Sequence, residues 1–235
     1  MNEIYERTQR LIGSEKLEVL KNSHVAVFGI GGVGSASVEA LARAGVGTLS
    51  LFDSDCVSKS NINRQLIATL DTVGTPKVTA AKERIAKINP DIKVFEHNVF
   101  YTADNSKEFD FSGYDYIIDA IDTVSSKIEL ILKAQQKDVK IISCMGTGNK
   151  LDPTRFEVCD IFKTSVCPLA RVMRRELSKR GVKKLKVLYS KEEALTPVLN
   201  ESENEKRVPA SISFVPAVAG MILAGEVIRH LIGEN

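Results

Sequence analysis

The sequence predicts an α/β fold: a Rossmann-like, mainly parallel sheet with helices on both faces. Two observations support this prediction. Short apolar runs alternate with segments of helical periodicity, which is typical of parallel sheets. The first apolar run, residues 24–28, leads into the glycine turn Gly29-Ile-Gly31-Gly32-Val-Gly34. With neither an internal repeat nor a linker, residues 1–235 are predicted to form one domain that ends in an irregular C-terminal extension.

The predicted elements of the first half follow in chain order. Alanine-rich residues 35–44 indicate a helix that Gly45 ends, and Thr75 is expected to cap a helix with Pro76 at its first position. That helix ends before Asn89-Pro90. The predicted strands are residues 24–29, 48–53, 93–99, 114–120 and 140–144, and a further helix covers residues 123–137.

The second half is less regular. We predict strands at 155–160 and 185–189, a helix at 169–179 and a polar surface loop at 195–207. Residues 208–225 carry no charge over 18 residues, close to the lower limit for a membrane span. Because Pro209 and Pro216 interrupt this stretch, we interpret it as a strand followed by a buried helix that begins at the second proline, with no membrane partner.

The net charge and the cysteines of the chain bear on its partners, its metal and redox motifs, and its compartment. The net charge of +2 is too small by itself to indicate a polyanionic partner. The four cysteines, at positions 56, 144, 159 and 167, form no C-x-x-C pair, so neither a zinc ribbon nor a redox motif is predicted. Free cysteines and the lack of a signal peptide indicate a reducing cytoplasm.

The glycine turn predicts nucleotide binding. Gly29, Gly31 and Gly34 have the spacing at which a tight turn brings helix N–H groups to a phosphate. Asp53, which closes the next strand, is placed to accept a ribose hydroxyl. The nucleotide-binding half is therefore predicted to cover about residues 20–145. The alternative is that the glycines serve packing alone.

Two cations after the second strand bear on the type of reaction. Arg64 and Lys77 are candidates to hold the β- and γ-phosphates of ATP and to stabilise departing pyrophosphate, and Asn61 to hydrogen-bond phosphate or ribose. Alternatively, Lys77 is a solvated first-turn lysine and Arg64 belongs to a surface ion pair. An NAD-dependent oxidoreductase or a non-catalytic nucleotide-binding module then remains open.

Two carboxylates close the predicted strand at 114–120. Asp119 and Asp122 lie at the carboxyl edge of the sheet, where ligands bind in such folds. One of them is a candidate Mg²⁺ ligand, because Mg²⁺ commonly takes one or two carboxylates and keeps several waters. The alternative for Asp122 is the N-cap of the following helix.

Together these motifs resemble the ubiquitin-activating-enzyme superfamily of adenylating enzymes. The resemblance is carried by Gly29-x-Gly31-Gly32-x-Gly34, Asp53-x-Asp55, Asn61-x-x-Arg64-Gln65, Gly74-x-Pro76-Lys77 and Asp119-Ala-x-Asp122. It implies ATP and Mg²⁺ as cofactors, ribose binding by Asp55, phosphate contacts from Asn61, Arg64 and Lys77, and Mg²⁺ binding by Asp122. It also implies a homodimer in which Arg7, or alternatively Arg10, reaches the phosphate site of the neighbouring subunit as a catalytic group.

Within the superfamily, the chain resembles the branch of tRNA threonylcarbamoyladenosine dehydratases. It lacks the paired C-x-x-C motifs of many sulfur-carrier-activating members, and the matching motifs are Arg7-Thr8, Asn149-Lys-Leu-Asp152-Pro153-Thr154, Lys163-Thr164, Pro168-Leu-Ala170 and Phe214-Val-Pro216. This resemblance implies that the substrate is a tRNA and that its threonylcarbamoyladenosine is cyclised, with loss of water, through an acyl-adenylate in a reaction that uses ATP. A sulfur-transfer protein is a candidate partner. The alternative function is adenylation of the C-terminus of a ubiquitin-like sulfur-carrier protein.

A basic segment agrees with an RNA partner. Residues 163–191 hold ten lysines and arginines against the single acid Glu176, an excess of nine positive charges in a chain of net charge +2. On the predicted 169–179 helix, Leu169, Val172, Met173 and Leu177 are expected to form an apolar stripe. Arg171, Arg174 and Arg175 are expected to share the opposite face and to bind the RNA backbone. The alternative is a solvated charged face.

Cys167, immediately before Pro168, is a candidate nucleophile. Superfamily members that form thioesters use a cysteine in the second half of the chain. A ring closure within the substrate needs no such relay, so Cys167 has a predicted role only under the thioester alternative.

Overall fold

A computed structural model describes residues 3–198 and 209–234. Within those residues the strands form one seven-stranded sheet of order β3-β2-β1-β4-β5-β7-β6. The strands are β1 His24–Phe28, β2 Thr48–Phe52, β3 Lys93–His97, β4 Tyr116–Asp119, β5 Lys140–Cys144, β6 Phe156–Asp160 and β7 Lys186–Ser190. All neighbours are parallel except the β6–β7 pair. The predicted fold class is confirmed.

Helices cover both faces of this sheet. They are α1 Glu6–Ile12, α2 Ser14–Asn22, α3 Gly32–Ala44, α4 Lys77–Ile88, α5 Val124–Gln136, α6 Pro168–Lys179 and α7 Val215–Leu231. Successive β1 side chains alternate between two apolar clusters, because side chains of a strand point to opposite faces in turn. Val25 and Val27 join the cluster of α3, α4 and α7, whereas Ala26 and Phe28 join that of α5 and α6.

Two helix starts differ from the prediction. Helix α3 begins at Gly32 rather than residue 35, because the glycine turn itself supplies the first helical carbonyl: Gly31 O accepts the Ser35 N–H at 2.9 Å. Helix α4 begins at Lys77, with Pro76 rather than Thr75 as its N-cap. Pro76 has an extended ψ of 135° and forms a β-bridge with Cys56, so it is not helical.

The strand predicted at the start of residues 208–225 is absent from residues 209–214. Instead, the backbone of Ala210 bonds to Asn149: Ala210 O accepts the Asn149 N–H, and the Ala210 N–H donates to Asn149 Oδ1, both at 2.7 Å. Helix α7 follows from Val215 and packs tightly on α3, where a Cβ on Gly220 would lie 2.2 Å from Val33 O. Neither described range contains a helix with the length and apolar character needed to cross a membrane.

The predicted polar loop lies partly outside the described residues. Residues 195–198 contain neither helix nor strand, and residues 199–208 are not described. The second half is more regular than predicted, since β6 and β7 extend the sheet built by the first half. The site described next lies at the neighbouring strands β1 and β4. The chain builds the sheet in one direction from β1 to β3 and in the other direction from β4 onward.

Candidate active site

A cavity of about 420 Å³ opens at the carboxyl edge of β1 and β4. Ligands bind at such positions in open α/β sheets because the connections leave these two strands in opposite directions and part the loops above them. The cavity is lined by the glycine turn, the end of β2, residues from 61–65, the 120–122 segment, residues 147–148 and residues from 209–216. The sequence-predicted nucleotide site therefore coincides with this cavity.

The glycines of the turn have different tasks. Gly31 and Gly32 line the cavity, as does Gly29. Gly29 has a φ of +86°, and a Cβ there would lie 2.6 Å from Ala120 O. Gly34 does not line the cavity; its Cβ would lie 1.7 Å from Gly29 O, so this glycine allows α3 to pack against the end of β1. Only glycine fits these close backbone approaches.

The two aspartates after β2 also differ. Asp53 accepts the Ile30 N–H at 2.7 Å and the Asp55 N–H at 2.9 Å, so both its carboxylate oxygens hold the backbone around the cavity. The side chain of Asp55 is 67% exposed, and its one bonding partner among residues 3–198 and 209–234 is Lys77. Asp55 is therefore the carboxylate better placed to meet a ribose.

Lys77 lies in the first turn of α4, yet its side chain is only 8% exposed. Its Nζ is 2.6 Å from Asp55 Oδ2 and 3.7 Å from Asp53 Oδ1. The alternative of a solvated first-turn lysine is therefore wrong. The two carboxylates hold the ammonium at the cavity and orient it.

Arg64 and Asn61 lie beside the same cavity. Both line the cavity, and Arg64 Cγ would be 3.5 Å from a Cβ on Gly32. The Arg64 guanidinium donates to Ser60 O and Asn63 Oδ1, both at 2.9 Å. Across the described residues no carboxylate pairs with it, so a surface ion pair is not found there. Asn61 Oδ1 accepts the Ser58 N–H, which orients the amide.

Asp122 presents a carboxylate to the cavity. It is exposed, and its hydrogen-bond partner is the hydroxyl of Thr123 at 3.4 Å. Thr123, not Asp122, is the N-cap of α5, so the capping alternative is wrong. Within the described ranges no group of three or more acidic, histidine or cysteine side chains could hold a metal. A single carboxylate at the cavity nevertheless fits Mg²⁺, because this ion commonly takes one or two carboxylates and keeps several waters.

Lys127 was missed by the sequence analysis. It is 0% exposed and forms an ion pair of 2.9 Å with Asp119, which is also 0% exposed. Its Nζ donates to Ile121 O at 3.1 Å and to Cys144 O at 2.9 Å. The available signal was its place on the apolar face of the helix, four residues before Ile131.

The N-terminal arginines are not part of this cavity within one chain. Arg7 is exposed on α1, and Arg10 pairs with Glu6 on the same helix. Both lie beside a shallow surface depression with Leu11, and neither lines the main cavity. Either arginine would have to reach the site from a second subunit, and this remains a prediction.

The basic helix α6 differs from the prediction at Arg174. Arg171 and Arg175 are exposed, but Arg174 is partly buried and donates to the carbonyl and hydroxyl oxygens of Thr164. The buried stripe of the helix is Ala170, Met173 and Leu177, whereas Leu169 and Val172 are only partly buried. The three arginines thus do not share one free face.

Part of the basic segment neutralises itself. Glu176 accepts hydrogen bonds from Arg180 at 2.9 Å, Lys179 at 3.3 Å and Arg175 at 3.1 Å. These bonds, the one from Arg180 foremost, lower the pKa of the Glu176 carboxyl to about 2. Arg171, by contrast, has no partner in the described part of the chain.

Cys167 does not line the cavity. It is 3% exposed and belongs to the apolar cluster of α5 and α6. Its Sγ would lie 3.9 Å from a Cβ on Gly146. Nearby Cys144 is also buried, and burial raises the pKa of its thiol to about 12. The geometry offers neither thiol to a ligand in the cavity.

The chain is similar to known proteins over nearly its whole length. The model of the ThiF family matches residues 5–235. The chain is similar to a tRNA threonylcarbamoyladenosine dehydratase of Bacillus subtilis (strain 168), with 46% identity over 241 aligned residues that cover 98% of this chain and 95% of that protein. It also resembles a molybdopterin-synthase adenylyltransferase of Salmonella typhimurium, 39% identical over 55% of this chain and 51% of that protein.

A solved structure extends the similarity to three dimensions. The tRNA N6-threonylcarbamoyladenosine dehydratase of E. coli, solved in complex with ATP, has a TM-score of 0.91 and 33% identity, and the match covers 99% of this chain and 95% of that one. The resemblance inferred from the motifs is confirmed. The match to nearly every residue of the family model, with these full-length relatives, shows that the chain belongs to the ThiF family.

Proposed function

We propose that the protein is an ATP-dependent dehydratase that cyclises threonylcarbamoyladenosine in tRNA through an acyl-adenylate. The observation that carries this proposal is the pair of cations in one cavity: Arg64 and the buried Lys77 line the cavity together with the glycine turn. Dinucleotide binding gives no reason to bury a lysine there, whereas displacement at the α-phosphate of ATP needs cations that stabilise departing pyrophosphate. Relatives that share nearly the full length carry the same named activity.

The residues divide the work of binding ATP. The N–H groups at the start of α3, around Gly31 and Gly32, face the phosphates. Asp55 accepts the ribose hydroxyls, which frees Lys77 from its present bond to turn toward the triphosphate. Arg64 then approaches the β- and γ-phosphates. The polar groups of the pocket therefore have bonding partners both without and with ATP, because contacts to the ligand replace the internal ion pair.

The chemistry is two displacements. The carboxylate of the modified nucleoside attacks the α-phosphorus; a phosphorus–oxygen bond forms and the bond to pyrophosphate breaks. A nitrogen or oxygen of the same modified base then attacks the activated carbonyl, loses its proton, closes a ring and expels AMP. The chain mainly positions groups and offsets negative charge.

Asp122 is the side chain that would hold Mg²⁺ here. When bound, the ion offsets phosphate charge and orients the departing pyrophosphate. The fit rests on an exposed carboxylate at the cavity that is not used as a helix cap. Arg7 from a second subunit would add a cation, which requires a homodimer.

Residues 1–235 act as one adenylating domain in this proposal, with the nucleotide-binding half at about 20–145. The tRNA backbone lies along α6, where Arg171 is the free cation and Arg175 becomes available when phosphate competes with Glu176. Arg174 instead positions the loop at Thr164. A reducing cytoplasm is the expected location, and a sulfur-transfer protein remains a candidate partner.

The test is mass spectrometry of tRNA nucleosides from a strain that lacks the gene. We expect the cyclic nucleoside to disappear and its open precursor to accumulate, and expression of the wild-type chain to restore the cyclic form. Expression of the Lys77→Ala chain should not restore it. An unchanged level of cyclic nucleoside in the deletion strain refutes the proposal.

The alternative is adenylation of a sulfur-carrier protein, as the similarity to the molybdopterin-synthase adenylyltransferase suggests. The chain has no paired C-x-x-C motifs, and Cys167 is buried away from the cavity. Incubation with carrier proteins and ATP separates the two functions. A carrier-adenylate, or a thioester on Cys167, would support the alternative.

A further inference from the structure

The buried ion pair below the cavity joins two strands of the sheet to the helix α5. Asp119 is the last residue of β4 and is aligned with Ser143 of β5, whose hydroxyl donates to its Oδ2. Lys127 comes from the first turns of α5 and meets the same oxygen at 2.9 Å. Both charged side chains are completely buried. Burying two charges costs free energy that a well-packed apolar pair would avoid, which calls for a reason.

Three oxygens surround the Lys127 ammonium. Its Nζ donates to Ile121 O at 3.1 Å and to Cys144 O at 2.9 Å, and it forms the ion pair with Asp119 Oδ2 at 2.9 Å. These three contacts match the number of donors that an ammonium carries. Two of the acceptors are backbone carbonyls, one just beyond the end of β4 and one at the end of β5, where the strands turn into the cavity loops.

The bonds fix the segment Ala120–Ile121–Asp122, here termed the cavity wall. Ile121 is held at both backbone groups, because its N–H donates to Asp119 Oδ1 at 3.1 Å and its carbonyl accepts from Lys127. The wall also abuts the glycine turn, since a Cβ on Gly29 would lie 2.6 Å from Ala120 O. All three wall residues line the cavity.

We propose that Lys127, through Asp119, is a positioning residue that fixes the cavity wall and thereby the Asp122 carboxylate relative to the phosphates of the nucleotide. This inference rests on the proposed function for the role of Asp122. Partners of a metal-binding carboxylate commonly change activity or metal affinity by about 10–100-fold when they are removed. Lys127 does not itself line the cavity.

The first variant is Lys127→Met, which keeps most of the side-chain length and removes the ion pair and both hydrogen bonds. We expect the adenylation kcat to fall by about 10–100-fold, with a smaller change in the KM for ATP, because Lys77 and Arg64 remain. The variant leaves Asp119 buried without its partner and is therefore also expected to be less stable.

The second variant, Lys127→Met with Asp119→Asn, separates positioning from stability. The asparagine side chain is neutral, so the uncompensated buried charge is gone and the melting temperature should recover toward wild type. The bond to Ile121 O is still missing, so kcat should remain low. Recovery of both melting temperature and kcat overturns the inference, because the pair then serves only stability.

A third variant keeps the test possible if the first two variants do not fold. Lys127→Arg keeps the positive charge, but a planar guanidinium cannot meet three acceptors arranged around a single ammonium. We expect kcat per folded molecule to lie between wild type and the Met variant. Wild-type kcat in this variant would contradict positioning by the ammonium. Arg84→Met is the matched control, since it removes a cationic partner from the buried carboxylate of Glu39, away from the cavity.

Hydrogen exchange of the nucleotide-free protein gives a readout independent of catalysis. In the double variant we expect the Ile121 amide, which is hydrogen-bonded in the wild-type chain, to exchange faster, while β1 amides at Val25 and Val27 stay protected. Unchanged exchange at Ile121 overturns the inference even if the proposed function holds. Conversely, a wild-type enzyme that forms no AMP from modified tRNA sinks the proposed function and leaves this result standing.

Discussion

Replacing Lys77 by methionine tests the claim that the cavity binds a triphosphate. Methionine keeps an unbranched apolar stem in the same space and removes only the ammonium. The stem is buried, with the side chain 8% exposed, but its partner Asp55 is 67% exposed, so water can replace the lost bond to Asp55. An ion pair with one well-hydrated member contributes at most about 1 kcal/mol to folding. The fold should therefore survive.

The effect on catalysis is larger. At about 4 Å and an effective dielectric constant of about 20, an ammonium and a phosphate charge attract by about 4 kcal/mol. Part of this is offset because the lysine must leave Asp55, at 2.6 Å, to reach the phosphate. A net loss of about 3 kcal/mol in the transition state corresponds to a rate loss of about 10²-fold.

The assay is ATP–pyrophosphate exchange with tRNA that carries the modified nucleoside. Lys82→Met is the matched control, because Lys82 lies on the same helix and pairs with Glu96 outside the cavity. We expect exchange to fall by about 10²-fold in the Lys77 variant and to stay at the wild-type rate in the control. Exchange by Lys77→Met within about threefold of wild type would remove this lysine from the reaction.

Three further predictions concern surfaces around the site. Arg171→Glu with Arg175→Glu should weaken tRNA binding and reduce the slope of log affinity against log salt by about 2, with ATP affinity unchanged; binding measured by filter retention over a salt series checks this. Glu176 has a depressed pKa, so its ion pairs contribute stability above the ordinary pKa near 4.5 and lose it as pH falls toward about 2. Glu176→Gln should remove this pH-dependent fall from a plot of melting temperature against pH. An unchanged plot would contradict the ion pairs of Glu176. If Arg7 serves the neighbouring subunit, mixing the inactive Arg7→Ala and Lys77→Met chains should restore part of the activity through hybrid dimers, and no recovery on confirmed mixing would refute the arrangement.

The site residues differ in how far the sequence predicted their positions. Order along the chain predicted that the glycine turn and Lys77 lie close together, because in a parallel sheet all carboxyl ends meet at one edge. Asp122 lies at the cavity for the same reason, because it follows the carboxyl end of β4. Asp55, by contrast, was expected at the ribose only from the family resemblance. The N-terminal Arg7 could not be placed, since a contact between subunits leaves no periodic signal in one chain.

Hydrogen-bond partners distant in sequence account for the errors. Arg174 has the helical spacing of an exposed residue, but the Thr164 oxygens fix it on the protein. The strand expected before α7 was displaced by Asn149, whose backbone and side chain occupy both polar groups of Ala210. Local propensity cannot anticipate such partners, because they are chosen by the packing of other segments.

The sequence by itself determined the alternation of strands and helices and most of the candidate groups around the cavity, since these follow from periodicity and from glycine, proline and charge at fixed intervals. Only the tertiary structure decided which groups are free to react. Asp53 is tied to backbone N–H groups, Asp55 is open to solvent, and Lys127 is buried below the wall. The physical reason is that a charged side chain excluded from water must take whatever partners the fold places beside it, and those partners fix its role.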